Sequence, residues 1–289
     1  MLFLCRHSMH VGIVACDQQY RAVAVKKIKN RLQVCSMVIV EINDEHNPGA
    51  KKNALMKVRE ALNYQSGPVI MALNYDEVIS KRIEVDSSLS DEELLYYLHH
   101  QSPHIFGCAA SEITVDFSRL GKFDKSMQSV QIAAAKRDVI SKLMILFQSC
   151  GFDLRAIEVD IFAATRLIFM RHNDNNPNAY YAVILFQQQQ LVFFVLYQHR
   201  LIYTVTVDYP LKTALHQAFH FFRNANATEC QLSKIMVMGE PDFLELSTVY
   251  LKKHAYPSVE VACSDIENAD ALDPRLLVSL GAALQRFSH

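Results

Sequence analysis

The sequence predicts an α/β fold in which one unit of strands and helices occurs twice, with a small α+β subdomain inserted into the first copy. Three strand-like segments rich in β-branched residues lie within residues 11–42, and three more lie within 180–207. Each group leads into alternating helix-like and strand-like segments, a pattern typical of α/β proteins. A stretch of different texture, about residues 76–153, separates the two groups.

Composition and charge limit the classes of function. Of the 289 residues 51% are hydrophobic, and Gly and Pro number only 8 each, so a large ordered core is expected. The net charge of −1 argues against a nucleic-acid coat, and no direct nucleic-acid partner is expected. A local basic patch, KKIKNR at residues 26–31, remains open.

The cysteines and the apolar runs bear on the compartment. The seven cysteines are scattered without a CxxC pair, which is typical of reduced thiols. The apolar start MLFLC is followed at once by RHSMH, so it does not have the form of a signal peptide. The run at 191–197 is far shorter than the roughly 18–20 residues of a spanning helix. We expect a cytoplasmic protein that reaches a membrane only through a partner.

The first copy begins with predicted strands at 11–16, 20–25 and 33–42. A helix at 50–64 follows, with an apolar face that includes Leu55 and Val58, and then a short buried strand at 67–73.

The insertion begins with an alternating strand at 79–86. Ser90 and Glu93 form a predicted capping box at the start of the next helix. Strands at 111–120 and 129–135 lead to a helix at 137–152 with Gly151 as its C-cap.

The remaining chain starts with a strand ending near Asp160 and a helix to residue 169. The polar loop at 171–178 is the predicted domain boundary. After the second group of strands come a helix, a strand, a helix and a strand, and a last helix with Asp273 as N-cap. The predicted divisions are 1–75 with 154–175, the insertion 76–153, and 176–289. This layout is that of the actin and hexokinase architecture.

Familiar catalytic and metal motifs are absent from the sequence. His216 and His220 are four residues apart on a predicted helix, but Gln217 stands where a zincin has Glu and no third ligand is evident. GxSxG, GxxxxGK[ST] and GxGxxG do not occur. We therefore expect no metal and no hydrolytic or transferase site built on these motifs.

Residues 136–168 carry a resemblance to a known family. They are similar to the PilM family of type IV pilus assembly proteins, whose members show a strand ending in "AA" and then "R..V......L..AGL....VD....AL.R". The matching residues here are Ala134, Ala135, Arg137, Val139, Leu146, Cys150, Gly151, Val159, Asp160, Ala163, Ala164 and Arg166. Upstream, Pro103, Glu112 and Asp116 resemble "P.....E...D", and the closing "..GLALR" is matched by Gly281, Ala283, Leu284 and Arg286.

The resemblance implies an actin-like, FtsA-related fold (ribonuclease H-like and duplicated) and allows the nucleotide loops to be compared. Gly12 matches the first phosphate loop, but Val14 stands for its Asp, Cys16 for its Gly and Arg21 for its Lys. The second phosphate loop is replaced by LFQQQQLVFF, and the adenosine loop retains only Gly239. Because a Mg²⁺-ATP site needs carboxylates and close backbone donors, we expect a pseudo-ATPase without a cofactor, in which Gly12, Arg21 and Gly239 are vestiges. The alternative is an ATP-binding switch in which Arg21 meets phosphate and Asp17 replaces the missing acid.

The resemblance also implies a partner and a location. PilM-like proteins dock the cytoplasmic N-terminal tail of the inner-membrane protein PilN in a groove between the main and inserted subdomains, at the inner membrane. The diverged gammaproteobacterial branch that this chain resembles is linked to competence and DNA uptake. Two other roles stay open: an actin-like polymerising scaffold, which includes homo-oligomers, and a metabolic kinase. Expected groove residues are Asn74, Tyr75, Arg82, Asp160 and Arg166.

Overall fold

The computed structural model describes residues 9–16, 18–29, 31–44, 46–122, 126–171, 179–187, 190–198, 200–208, 211–225, 232–253, 259–261, 266 and 272–285. Asp17, Arg286 and the predicted boundary loop beyond Arg171 lie outside these residues. In chain order the strands are β1 (His10–Cys16), β2 (Gln19–Ile28), β3 (Arg31–Glu41), β4 (Pro68–Leu73), β5 (Val78–Asp86), β6 (Ile113–Lys122), β7 (Met127–Lys136), β8 (Asp153–Val159), β9 (Tyr180–Gln187), β10 (Gln190–Tyr197), β11 (Arg200–Asp208), β12 (Leu232–Met238) and β13 (Val259–Val261). The helices are α1 (Pro48–Ala61), α2 (Asp91–His100), α3 (Ser102–Phe106), α4 (Arg137–Ser149), α5 (Asp160–Arg171), α6 (Leu211–Ala225), α7 (Pro241–Lys253) and α8 (Leu277–Ala283).

The first sheet has the strand order β3-β2-β1-β4-β8. β1, β2 and β3 form an antiparallel meander, while β4 and β8 run parallel to β1. The predicted helix forms as α1 because Asn47 caps its first turn and Pro48 stands where a missing N–H is tolerated. Its Leu55 and Val58 are fully buried against one face of the sheet.

The second sheet repeats this topology with the order β11-β10-β9-β12-β13. β9, β10 and β11 are again an antiparallel meander, and β12 runs parallel to β9. Helix α6 turns Leu215, Ala218 and Phe222 onto one face of this sheet, at the helical spacing that defines an apolar stripe. The matching strand orders confirm the predicted duplicated fold.

The insertion is a three-stranded sheet, β5-β7-β6, covered on one face by α2 and α3. Ser90 and Glu93 form the predicted capping box at the start of α2. Because side chains alternate along a strand, Val130 and Ile132 of β7 face the helices, while Gln131 and Ala133 face the opposite side. The face of the insertion's sheet that carries Gln131 and Ala133 faces the first sheet.

Helices α5 and α8 lie between the two large sheets and join the halves into one core. Every residue of α8 is buried, and α8 packs on β1, β2, β4 and α5, although the predicted boundaries place it in the second half. Phe147 of α4, predicted within the insertion, is likewise buried in the core beneath α1. The last helix also differs in form, since Asp273 caps a 3-10 turn, Pro274–Leu276, that precedes α8. No helix in the described ranges is long and apolar enough to cross a membrane.

Candidate functional site

A cleft between the two halves lies where the parallel strands of the first sheet end. The carboxyl ends of β1, β4 and β8 meet there, which is where open α/β sheets place ligands. Gln187 at the end of β9 and Glu240 after β12 face this region from the second half.

Gly12 lies inside β1 and not at the turn that follows it. A Cβ at this position would overlap the carbonyl oxygen of Ser279 and the backbone nitrogen of Ala283, and would lie 2.9 Å from the Cβ of Ala282. The hydroxyl of Ser279 also donates to the carbonyl oxygen of Arg21 at 2.8 Å. Glycine at position 12 thus allows α8 to lie directly on the first sheet.

Arg21 is 2% exposed, and its guanidinium donates to the carboxylate of Glu240 at 2.5 Å. Its Nε also donates to the side chain of Gln19 at 3.3 Å. On the other side of Glu240 stands Arg275, at 3.9 Å, which is paired with Asp273 at 2.6 Å. The hydrogen bond from Arg275 holds the pKa of Asp273 below its usual range. This chain of charges spans the cleft from the first half to the second.

Gly239 stands beside β9, where its backbone φ of 137° is one that other residues rarely adopt. A Cβ would lie 2.6 Å from the carbonyl oxygen of Phe186. The ring of Phe186 stacks on Phe243 with centroids 4.4 Å apart. Gly239 therefore permits close packing within the second half, at the residue just before Glu240.

Asp160 begins α5 and is 1% exposed. Its carboxylate accepts from the N–H of Ile161 at 2.6 Å, from the amide of Gln187 at 2.8 Å and from the N–H of Tyr75. Burial raises the pKa of Asp160 to about 7, and the three donors oppose that rise only in part, while nearby Asp76 adds to it. One carboxyl group thus connects the first half, the entry to the insertion and the second half.

Asn74 and Tyr75 occupy the same junction. The side-chain amide of Asn74 donates to the carbonyl oxygen of Ala15 at 3.1 Å, which ties the end of β4 to the end of β1. The hydroxyl of Tyr75 is hydrogen-bonded to Thr204 of the second half, while burial raises its pKa. Both residues serve contacts within the cleft.

A groove of about 640 Å³ lies between the insertion and the first sheet. Its walls are the open face of β6 and β7, the outer edge of β8, Phe162 of α5 and the β10–β11 hairpin with Arg200 and Leu201. Five consecutive residues of β8, 155–159, line it, which indicates that the strand turns its edge to the groove. Ala133 and Ala156 leave room for another backbone to approach this edge.

The five residues expected to bind a partner do not line this groove. Asn74, Tyr75 and Asp160 lie at strand ends in the cleft, whereas the groove runs along a strand edge. Arg82 lies on edge strand β5 and donates to Ser129 at 2.9 Å. Arg166 contacts the groove through Glu158, a groove residue to which it donates at 2.7 Å, and it also donates to the carbonyl oxygen of Gly281 at 2.7 Å.

Several site residues were missed from the sequence. Glu240 follows Gly239 directly, and an acidic residue after a strand-end glycine was a usable signal. The sequence gives no such signal for Gln187 and Glu158, because their partners Asp160 and Arg166 are known only from the folded geometry. Burial raises the pKa of Glu158, and its hydrogen bond with Arg166 counteracts that rise.

Comparisons with known proteins agree with this fold. The family model for type IV pilus assembly protein PilM matches residues 12–209, more than half of the chain. A solved structure described as a PilM-PilN type IV pilus biogenesis complex contains a similar chain, with a TM-score of 0.81 at 14% identity over 98% of this chain and 99% of that one. No match was found among curated proteins.

Two further solved structures share the fold at greater distance. The cytoplasmic domain of EpsL, an inner-membrane component of the type II secretion system of Vibrio cholerae, gives a TM-score of 0.51 at 12% identity, covering 95% of this chain and 94% of that one. A Bacteroides thetaiotaomicron protein with an actin-like ATPase fold gives 0.57 at 12% identity, covering 91% and 94%. These likenesses show an actin-like fold, and the family match shows that the chain belongs to the PilM family of type IV pilus assembly proteins.

Proposed function

We propose that this protein is a cytoplasmic adaptor of a type IV pilus or DNA-uptake machine, which binds the N-terminal tail of a PilN-like inner-membrane protein in the groove beside β8. The observation that carries the proposal is the outer edge of β8, which pairs with no further strand among the described residues and lines a cavity of ligand size. The structural neighbour described as a PilM-PilN complex supports the choice of partner. The partner supplies the attachment to the inner membrane.

The groove suits a short extended peptide. Residues 155–159 span about 16 Å of strand, so an extended segment of about five residues can pair with this edge through backbone hydrogen bonds. Phe117, Ile157 and Leu201 supply apolar contacts for alternate side chains. Asp116 and Arg200 add charges of both signs at its walls.

A binding measurement with matched variants tests the adaptor role. Fluorescence anisotropy with a labelled PilN tail peptide is expected to show saturable binding. Ala133→Arg places a long side chain in the groove and is expected to weaken binding at least tenfold, at about 1.4 kcal/mol per factor of ten. Ala61→Arg, on the exposed last turn of α1, is the control and is expected to leave binding unchanged. No binding at high micromolar peptide, or equal binding by the groove variant, would refute the proposal.

The proposal includes a degenerate nucleotide site without catalytic activity. Val14 and Cys16 stand at the first phosphate loop, and the cleft beside them is spanned by the pair of Arg21 and Glu240. Occupation of this guanidinium by a carboxylate opposes phosphate binding, because a phosphate would have to displace Glu240 and would meet its negative charge. Calorimetry with Mg²⁺-ATP is expected to give no saturable heat, and low-micromolar binding would overturn this part of the proposal alone.

A further inference from the structure

The hairpin that joins β2 and β3 carries four cations, Lys26, Lys27, Lys29 and Arg31, within six residues of a chain whose net charge is −1. Lys27, Lys29 and Arg31 are exposed and Lys26 is half-buried. None of the four forms an ion pair with any described residue. A cluster of exposed positive charge on a nearly neutral protein attracts an anionic partner.

The hairpin projects away from the cleft and from the groove. Within the described residues, β1 pairs with β2 only up to Val25, and the strand partner of Lys26–Ile28 is β3. β2 begins beside the cleft at Gln19 and reaches Ile28 nine residues later, which places the tip about 30 Å from the cleft. β3 is at one edge of the sheet and the groove is at the other, beyond β8. The charges of the tip therefore serve neither a nucleotide in the cleft nor a peptide in the groove.

We propose that this hairpin tip, Lys26–Arg31, is a contact site for the headgroups of an anionic phospholipid bilayer. Ile28 lies among the cations and is 36% exposed, so the tip offers an apolar side chain as well as charge. Charge and an apolar side chain together give reversible binding at a charged membrane surface, since either feature alone binds a membrane only weakly. A nucleic acid fits less well, because the tip has no aromatic side chain on which a base can stack. The choice of a bilayer also draws on the membrane-bound partner proposed above.

The physical role of such a contact is to fix the orientation of the protein. A flexible peptide tail alone leaves the bound protein free to rotate beneath the membrane. A second contact at the opposite edge of the first sheet restricts that rotation, and two linked weak contacts bind more tightly than either alone.

Vesicle cosedimentation of the full chain, without any partner peptide, tests the site. Binding at millimolar accessible lipid is expected with vesicles containing 30% phosphatidylglycerol, to fall steeply with added salt and to be absent with phosphatidylcholine alone. Lys27→Gln with Lys29→Gln is expected to lower the partition coefficient about 25-fold, since each cation contributes about a factor of five. The matched control is Lys252→Gln with Lys253→Gln on α7, which removes the same charge from an exposed site and is expected to change binding less than twofold.

Three results would overturn the inference. They are equal binding to neutral and anionic vesicles, equal loss of binding in the hairpin and control variants, and tighter hairpin-dependent binding to a short DNA duplex than to anionic vesicles. Because no partner peptide is present, each of these outcomes is separate from success or failure of the tail-binding experiment.

Discussion

Gly12→Ala separates two roles that a glycine in β1 can have. In a working phosphate loop, glycine admits a ligand, and adding one methyl group would leave the unliganded protein stable. In this structure the space beside Gly12 is filled by the backbone of α8, and a Cβ would lie closer than 3.0 Å to Ser279, Ala282 and Ala283. The substitution is therefore expected to destabilise the protein with no nucleotide present.

The magnitude follows from which atoms must move. Two of the three nearest atoms belong to the backbone of α8, so rotation of a side chain cannot relieve the overlap, and the helix has to retreat by about 1 Å. α8 is buried along its whole length, so this movement loosens its contacts with both the first sheet and α5. Overpacking a core typically costs about 1–3 kcal/mol, and a clash with backbone belongs at or above the upper end, about 3 kcal/mol.

Urea denaturation followed by far-ultraviolet circular dichroism measures the free energy of unfolding of wild type and Gly12→Ala. Gly49→Ala, in the first turn of α1, is the control, because a Cβ there meets no backbone atom from outside its own helix within 4 Å, and its one near contact is the side-chain Oδ1 of the N-cap Asn47 at 3.1 Å. We expect about 3 kcal/mol of destabilisation at position 12 and little change at position 49. A Gly12→Ala protein as stable as the control would refute the packing role of this glycine.

Two further substitutions test the links across the cleft. The pKa of Asp160, about 7 when folded, exceeds the 3.8 of the unfolded chain, so the unfolded state loses its proton first and stability falls as pH rises from about 4 to 7. Asp160→Asn removes this fall. The free energy of unfolding of the variant relative to wild type is therefore expected to rise over that range by up to about 4 kcal/mol and then level off. Urea titrations at several pH values measure it, and a difference between the two proteins that does not change with pH would contradict the linkage. Glu240→Gln removes the charge facing buried Arg21 and is expected to cost about 2 kcal/mol, less than a fully buried pair because Glu240 is 30% exposed. Asp138→Asn, which breaks an exposed pair with Lys142, is the control and is expected to leave stability nearly unchanged. Equal losses of stability in Glu240→Gln and Asp138→Asn would show that the pair of Arg21 and Glu240 contributes no more than an exposed ion pair.

The periodic part of the fold could be predicted from the sequence. Short apolar runs rich in β-branched residues located both meanders, and the spacing of Leu55 and Val58 placed α1, because these patterns depend only on local sequence and burial. The capping box of Ser90 and Glu93 is equally local, since its two hydrogen bonds join residues three positions apart.

Less of the candidate site could be predicted from the sequence, because the site depends on contacts between residues far apart in the chain. Arg21 and Glu240 are 219 positions apart, and nothing in either local sequence identifies the partner. The groove is formed by the outer edge of β8, and the edge position of a strand is a property of sheet order rather than of strand composition. Residues at strand ends, such as Asp160, could be recognised as polar breaks in apolar runs, but not assigned to the cleft rather than the groove.

The burial of α8 on β1 has a consequence for synthesis of the protein. β1 is made more than two hundred residues before α8, yet one of its faces is covered by α8, residues 277–283. During translation the first sheet therefore has an uncovered apolar face while more than two hundred residues are added. We expect the first half to remain dependent on chaperones, and sensitive to proteases, until α8 has emerged from the ribosome and docked.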